Sequence, residues 1–248
     1  MSADSNRAHS RVRVAALADV HGNAPALAAV LEEVERERPD LVVFCGDLTW
    51  GSLPQETLAL VRVLEIPARF VRGNADRAVG ADPEGRGEWM AAAHSVEDLA
   101  FLQGFEQTVL VDVQRLGPTC FAHGSPRSDE ECVTKRTPEA RVREFSEGVE
   151  ARTFVTAHTH MQFDRRVAGV RLVNPGSVGL PYEPSPGAYW ALLGPDVELR
   201  RTDYDVEATI AQMLATDDPR AEVIADMMRV PPDQDEVIED AERRVFAG

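Results

Sequence analysis

Val12-Arg13-Val14-Ala15-Ala16-Leu17-Ala18-Asp19-Val20-His21-Gly22-Asn23 runs from an apolar stretch of buried-strand length into two metal-ligating side chains two residues apart. The pattern predicts a strand over residues 12–18 that delivers Asp19 at its carboxyl end. In extended backbone, side chains i and i+2 share a face, so Asp19 and His21 can chelate one ion. A helix over 24–38 follows, with Leu27, Val30, Leu31 and Val34 at helical spacing, Asn23 as its cap and Pro25 in its first turn. Pro39-Asp40 ends it.

The same arrangement recurs four times downstream. Leu41-Val42-Val43-Phe44-Cys45 leads to Gly46-Asp47, and Arg69-Phe70-Val71 leads to Gly73-Asn74. Thr119-Cys120-Phe121-Ala122 leads to His123, and Thr153-Phe154-Val155-Thr156 leads to His158-Thr159-His160. Residues 54–65 read as a second helix with Leu58, Val61 and Leu64 inward. Such strand–helix alternation argues for parallel pairing with ligands at the strand carboxyl ends. Taken singly, Asp47 reads as a helix cap, Gly73-Asn74 as a turn and His123 as a core or turn histidine. Five coincidences at strand ends defeat those plain readings together, and two same-facing imidazoles at 158 and 160 are hard to explain as surface decoration.

The residue types set the chemistry. Three Asp or Asn oxygens with four imidazoles suit Mn, Fe, Ni or Zn, whereas an all-oxygen set suits Mg or Ca. A set without Cys also argues against a closed structural zinc site. Two divalent ions about 3.5–4 Å apart can share a carboxylate and clamp a phosphoryl group during in-line displacement. Metal-assisted hydrolysis of a phosphate ester follows as the expectation.

Asp19-x-His21, Gly46-Asp47, Gly73-Asn74, His123 and His158-x-His160 stand in the order and approximate spacing of the calcineurin-like metallophosphoesterase superfamily, which the chain resembles over about residues 12–205. The likeness to its small bacterial phosphodiesterase branch rests on Asp19-Val20-His21-Gly22-Asn23, Gly73-Asn74-Ala75-Asp76 and Asn174-Pro175-Gly176-Ser177-Val178. The resemblance implies an α/β four-layer sandwich of two mixed β-sheets flanked by helices. It implies that Asp19, His21, Asp47 and His160 hold one ion, and that Asp47 bridges to a second held by Asn74, His123 and His158. It implies a phosphodiesterase in which a metal-bridging hydroxide attacks phosphorus in line, with Asp47 and Asn74 at the catalytic centre. Many members place His directly after the Gly-Asn pair, where it serves the leaving oxygen or orients the phosphate, but this chain has Ala75. Asp76 and His94 are the nearby candidates for the missing acid.

Other residues are candidates for substrate contact. Arg77 and Arg127 sit beside metal ligands and suit bidentate phosphate binding, with surface ion pairs as the alternative. Asn174-Pro175-Gly176-Ser177 suggests a backbone cradle. Tyr182 donates to substrate or closes its loop, and Asn23 adds a polar group beside His21. In the middle segment, Asp82-Pro83-Glu84-Gly85-Arg86-Gly87 reads as a loop and residues 96–103 as a short helix. Trp89, Met90 and His94 could line a cover over the site or form an apolar helix face. Ala168-Gly169 signals a hairpin.

The 248 residues suit one catalytic domain over 1–215, with polar, unpatterned residues 1–10 expected to be disordered. Residues 216–248 read as an acidic helical extension with ten acidic and four basic residues. Its apolar stripes, Ile224-Met227-Met228 and Val237-Ile238-Ala241-Val245, pack on their own domain or at a homo-oligomer interface. The net charge of −16 argues against long nucleic acid as a partner and leaves a small phosphoester or nucleotide as substrate. No signal peptide or run of about 20 apolar residues is present, so a cytoplasmic protein without membrane contact is expected. Cys45, Cys120 and Cys132 form no disulfide framework and read as small core residues, with exposure as the alternative for Cys132 in its polar loop. The alternatives to a phosphodiesterase are a phosphomonoesterase or protein phosphatase, and a non-catalytic scaffold retaining the fold.

Overall fold

Residues 12–79 and 86–244 are described in a computed structural model of the chain. The first half runs β1 (Val14–Leu17), α1 (Ala24–Glu37), β2 (Leu41–Phe44), α2 (Pro54–Arg62), β3 (Ala68–Phe70), α3 (Asn74–Ala78), α4 (Arg86–Ala92) and α5 (Val96–Gln103). The second runs β4 (Thr108–Val113), β5 (Gly117–Ala122), α6 (Glu139–Ser146), β6 (Thr153–Val155), β7 (Phe163–Val167), β8 (Val170–Asn174), β9 (Ala188–Leu193) and β10 (Val197–Thr202). Three helices close it: α7 (Val206–Leu214), α8 (Ala221–Arg229) and α9 (Gln234–Arg243). The polar opening residues 1–10, residues 82–85 of the expected loop, and Val245 at the end of the last apolar stripe lie outside the described residues.

Two mixed sheets form, in the orders β10-β9-β1-β2-β3 and β4-β5-β6-β8-β7. β1, β2 and β3 pair in parallel through α1 and α2, as the alternation predicts. In the second sheet β5, β6 and β8 pair in parallel, with β4 and β7 antiparallel at the edges. Strand period two sorts β1: Val14, Ala16 and Ala18 enter the core between the sheets, while Ala15 and Leu17 face the α1 side chains Leu27, Val30 and Val34. On the far side, α6 places Val142 and Phe145 against Phe154 and Leu172. The result is the expected four-layer sandwich, with all five ligand stretches at one rim.

Ends differ from the sequence pattern for local reasons. Asn23 caps α1 by accepting the Ala26 N–H at 3.1 Å, and the helix stops when Arg38 turns left-handed at φ 50°. Arg86 and Gly87, expected in a loop, instead open α4. Ala168 and Gly169 are both left-handed, as a tight hairpin between β7 and β8 requires. Cys132, like Cys45 and Cys120, is buried, in keeping with its reading as a small core residue.

The C-terminal helices pack on the sandwich. α8 buries Ile224, Ala225 and Met228 with Ile210 and Met213 of α7 against Ala24, Leu53 and Leu180. α9 buries Ile238 and Ala241, and its Glu242 carboxylate accepts from Thr137 Oγ1 at 2.8 Å and Arg141 Nη2 at 2.9 Å. Among the described residues no helix is long and apolar enough to cross a membrane.

Candidate metal centre

Asp19, His21, Asp47, His158 and His160 all have left-handed backbone, at φ 51°, 47°, 54°, 65° and 58°. Each such residue costs roughly 1–2 kcal/mol, and such strain clusters where function over-determines the chain. Asp19 and His21 were expected to converge by strand alternation. They converge instead because the chain beyond β1 turns sharply at both, held by Asp19 N–H to Gly46 O at 3.1 Å and His21 N–H to Asp47 O at 2.9 Å. The second ligand loop comes equally close: a Cβ on Gly73 would lie 2.0 Å from Asp47 Oδ1.

Two triads result, Asp19-His21-His160 and Asp47-His123-His158. Asp47 Oδ2 lies between them, 3.6 Å from His21 Nε2 and 3.5 Å from His123 Nε2. Its Oδ1 accepts the Ala75 N–H at 2.9 Å. Asn74 Oδ1 is 3.0 Å from His123 Nε2, which is 3.2 Å from His158 Nδ1. The ring nitrogens turned away from the centre meet backbone carbonyls: His123 Nδ1 at Cys45 O (2.8 Å), His160 Nδ1 at Leu180 O (2.6 Å) and His21 Nδ1 at Trp50 O (3.2 Å). Such contacts fix the tautomer that leaves Nε2 as a ligand. Asp19 Oδ1 is buried without a hydrogen-bond partner, 3.4 Å from His160 Nε2 and 4.0 Å from His21 Nε2. An orphaned carboxylate oxygen among converging imidazoles fits a divalent cation.

Charge is divided within this cluster. Burial, partly offset by Asp47, pulls His21 down to about 4. Burial, reinforced by His123, does the same to His158. His123 experiences burial too, but the Asp47 and Asp19 carboxylates outweigh it and push the ring up to about 10. His160 is raised against its burial by Asp19. Asp47 is held below the carboxylate range because His123, His21 and His158 overcome its desolvation.

Several other candidates serve the scaffold rather than the cleft. Asp76 accepts the N–H groups of Asp47 (2.8 Å), Leu48 (2.9 Å) and Gly73 (2.8 Å). Burial and Asp47 push it up to about 7, a value suited to a general acid, yet both oxygens face backbone. His94 is buried between Met90 O (2.6 Å) and Thr49 Oγ1 (3.0 Å). The assignment of either as leaving-group acid is corrected on geometry. Arg127 forms a fork with Glu131 at 2.8 and 2.7 Å, and Arg77 pairs with Asp129 and Glu130. Both take the ion-pair alternative.

The residues after β8 hold the ligand loops. Asn174 donates to Ala157 O and Thr159 Oγ1, both at 3.0 Å, while its Oδ1 accepts the Gly176 N–H. Ser177 Oγ donates to Asp19 O at 2.7 Å. Asn23, besides capping α1, donates to Gly179 O at 2.9 Å. All three are fully buried, so their reading as substrate contacts is replaced by one as loop ties. Met90 belongs to the core and Trp89 packs against it, so neither lines a cover.

A cleft of about 290 Å³ opens beside His21, Asp47, His158 and His160. Tyr182, whose ring lies 4.6 Å from that of His160, lines it. Trp50, Arg86, Arg220, Val223 and Met227 also line it and carried no sequence signal toward the site. Of these, only Met227 had left a trace, in the apolar stripe of α8.

Residues 12–194 match the calcineurin-like phosphoesterase superfamily domain. The fold is similar to that of a metallophosphoesterase from Sphaerobacter thermophilus, with 26% identity and a TM-score of 0.72 over 88% of this chain and 98% of that one. A hypothetical protein from Pyrococcus horikoshii is 19% identical with a TM-score of 0.73, over 87% and 97% of the two chains. The phosphoesterase Yfce of E. coli is 20% identical with a TM-score of 0.51, over 76% and 92%. No curated protein matches the chain in sequence.

Proposed function

Because this chain belongs to the calcineurin-like phosphoesterase superfamily, we propose that it is a dinuclear, metal-dependent hydrolase of small phosphodiesters. The observation that carries this reading is Asp47 Oδ2 standing between two ligand triads at 3.6 and 3.5 Å from their imidazoles. Asp19, His21, Asp47 and His160 would hold one ion, and Asp47, Asn74, His123 and His158 the other. Divalent Mn, Fe, Ni or Zn bound there supplies activation of water and neutralisation of phosphoryl charge.

The chain's own residues do the rest. The carbonyls of Trp50, Cys45 and Leu180 fix three imidazoles, and the Ala75 N–H orients the Asp47 carboxylate. Ala75 supplies no proton to a leaving oxygen, and Asp76 and His94 are committed elsewhere. Esters with acidic leaving groups are therefore the preferred substrates. The cleft is at the small end of ligand sites, commonly about 300–1,000 Å³, which favours a compact ester over a phosphoprotein or nucleic-acid strand.

The test removes metal, restores Mn, Ni, Fe or Zn singly, and assays a diester and a monoester bearing the same nitrophenolate. Faster metal-dependent diester cleavage, abolished by Asp47→Asn, is the expected result. Preferential monoester cleavage would make the protein a phosphatase, and no cleavage with any metal would make it a scaffold.

A further inference from the structure

The structure assigns α8 a second role, resting on the phosphoester reading: Val223 and Met227 seat an aromatic or apolar ester arm of a small phosphodiester held at the metal centre. These side chains stand one helical turn apart, Val223 beside the stripe by which α8 packs on the domain and Met227 at its edge. Ile224, Ala225 and Met228 fill the core below, but Val223 remains 43% exposed and Met227 half-buried. Both line the cleft that reaches His21, Asp47 and His160, and half-buried Trp50 lines it too. An apolar surface thus begins where the phosphoryl group would sit and ends in open solvent.

That wall is fixed in place. Asp218, just before α8, accepts from Ser52 Oγ at 2.7 Å and from Arg86 Nη2 at 2.7 Å, and its other oxygen accepts the Arg220 N–H at 2.9 Å. The Arg86 guanidinium lies 5.9 Å from the Trp50 ring centroid. One buried carboxylate therefore ties the start of α8 to the loop carrying Trp50. Arg220, exposed at the rim, adds positive charge on the path of an anionic ester. The residues matching the superfamily domain end at 194, so the α8 part of this wall, with Val223 and Met227, comes from sequence beyond that match.

The test measures calorimetric affinity of the metal-loaded protein for diphenyl phosphate and for dimethyl phosphate, alongside turnover of bis(p-nitrophenyl) phosphate. Wild type is expected to bind the diphenyl ester about tenfold more tightly. In Val223→Ser/Met227→Ser most of that preference disappears while dimethyl phosphate affinity stays within about twofold. Val223→Ser alone, at an exposed position, gives a smaller loss and guards against misfolding of the double variant. A wild type without preference, or a preference that survives the double variant, overturns the assignment. Turnover without the preference removes the α8 role and leaves the phosphodiesterase standing; the preference without turnover does the reverse.

Discussion

The Nε2 atoms of His21 and His160 lie 3.2 Å apart, and the opposite nitrogen of each ring is committed to a backbone carbonyl. Two imidazole lone pairs cannot face each other at that distance without a proton or a cation between them. Metal loading should therefore stabilise the fold. At a free metal concentration a hundredfold above Kd the gain is about 2.7 kcal/mol, or roughly 5–10 °C for a chain of this size. Calorimetry of stripped protein titrated with Mn, Fe, Ni or Zn reads it directly. Affinity falls on acidification, because His123 and His160, held above their ordinary range by Asp47 and Asp19, must shed protons to bind. A melting temperature indifferent to every metal would contradict this account.

Asp76 ties both ligand loops through three backbone N–H groups, so its loss should act through geometry. Asp76→Asn turns an amide N–H toward those donors and is expected to cost about 2–4 kcal/mol of stability and to weaken metal binding. Rates on esters with good and poor leaving groups should fall by the same factor. A much larger loss on the poor leaving group would restore Asp76 as the acid.

Gly73 has no room for a methyl group. The added Cβ would lie 2.0 Å from Asp47 Oδ1 and 2.5 Å from its backbone nitrogen, and neither partner can move without dragging the shared carboxylate. Gly73→Ala is expected to lower the bound metal from two ions toward one or none, read by elemental analysis after dialysis. Retention of two ions would show that the Asp47 loop tolerates displacement.

The layered fold was legible because its strands carry unbroken apolar runs and its first two crossovers carry helical spacing, so β1-α1-β2-α2-β3 could be read in order. The convergence of Asp19, His21, Asp47, Asn74, His123, His158 and His160 was legible for a related reason: all stand just past strand ends at one rim. The direction of a polar side chain was not. Asn23, Asn174 and Ser177 lie at that rim too, but backbone groups claim them, and nothing in sequence spacing separates a side chain facing a cleft from one facing a carbonyl. The left-handed turns at five ligand positions are equally silent, since none of those residues is glycine. Val223 and Met227 were hidden because an apolar pair at helical spacing reads the same whether it meets a core or a substrate.

Glu131 makes the loop after His123 sensitive to acid. Its fully buried carboxylate accepts from Ser125 Oγ at 2.6 Å and from Arg127 at 2.8 and 2.7 Å. Burial opposes ionisation, but Arg127, Ser125 and Arg141 outweigh it and hold the group below its ordinary value of 4.5. With the folded value depressed, the stabilisation is complete above about pH 4.5 and drains away as pH falls through the folded value. Glu131→Gln strands part of the Arg127 fork and should cost about 2 kcal/mol at pH 7, or roughly 4–8 °C. Calorimetry of metal-free wild type and variant from pH 7 downward should show the two melting temperatures converging below about pH 4.5. A constant gap across that range would mean that Glu131 acts by packing and neutral hydrogen bonds, not through its charge.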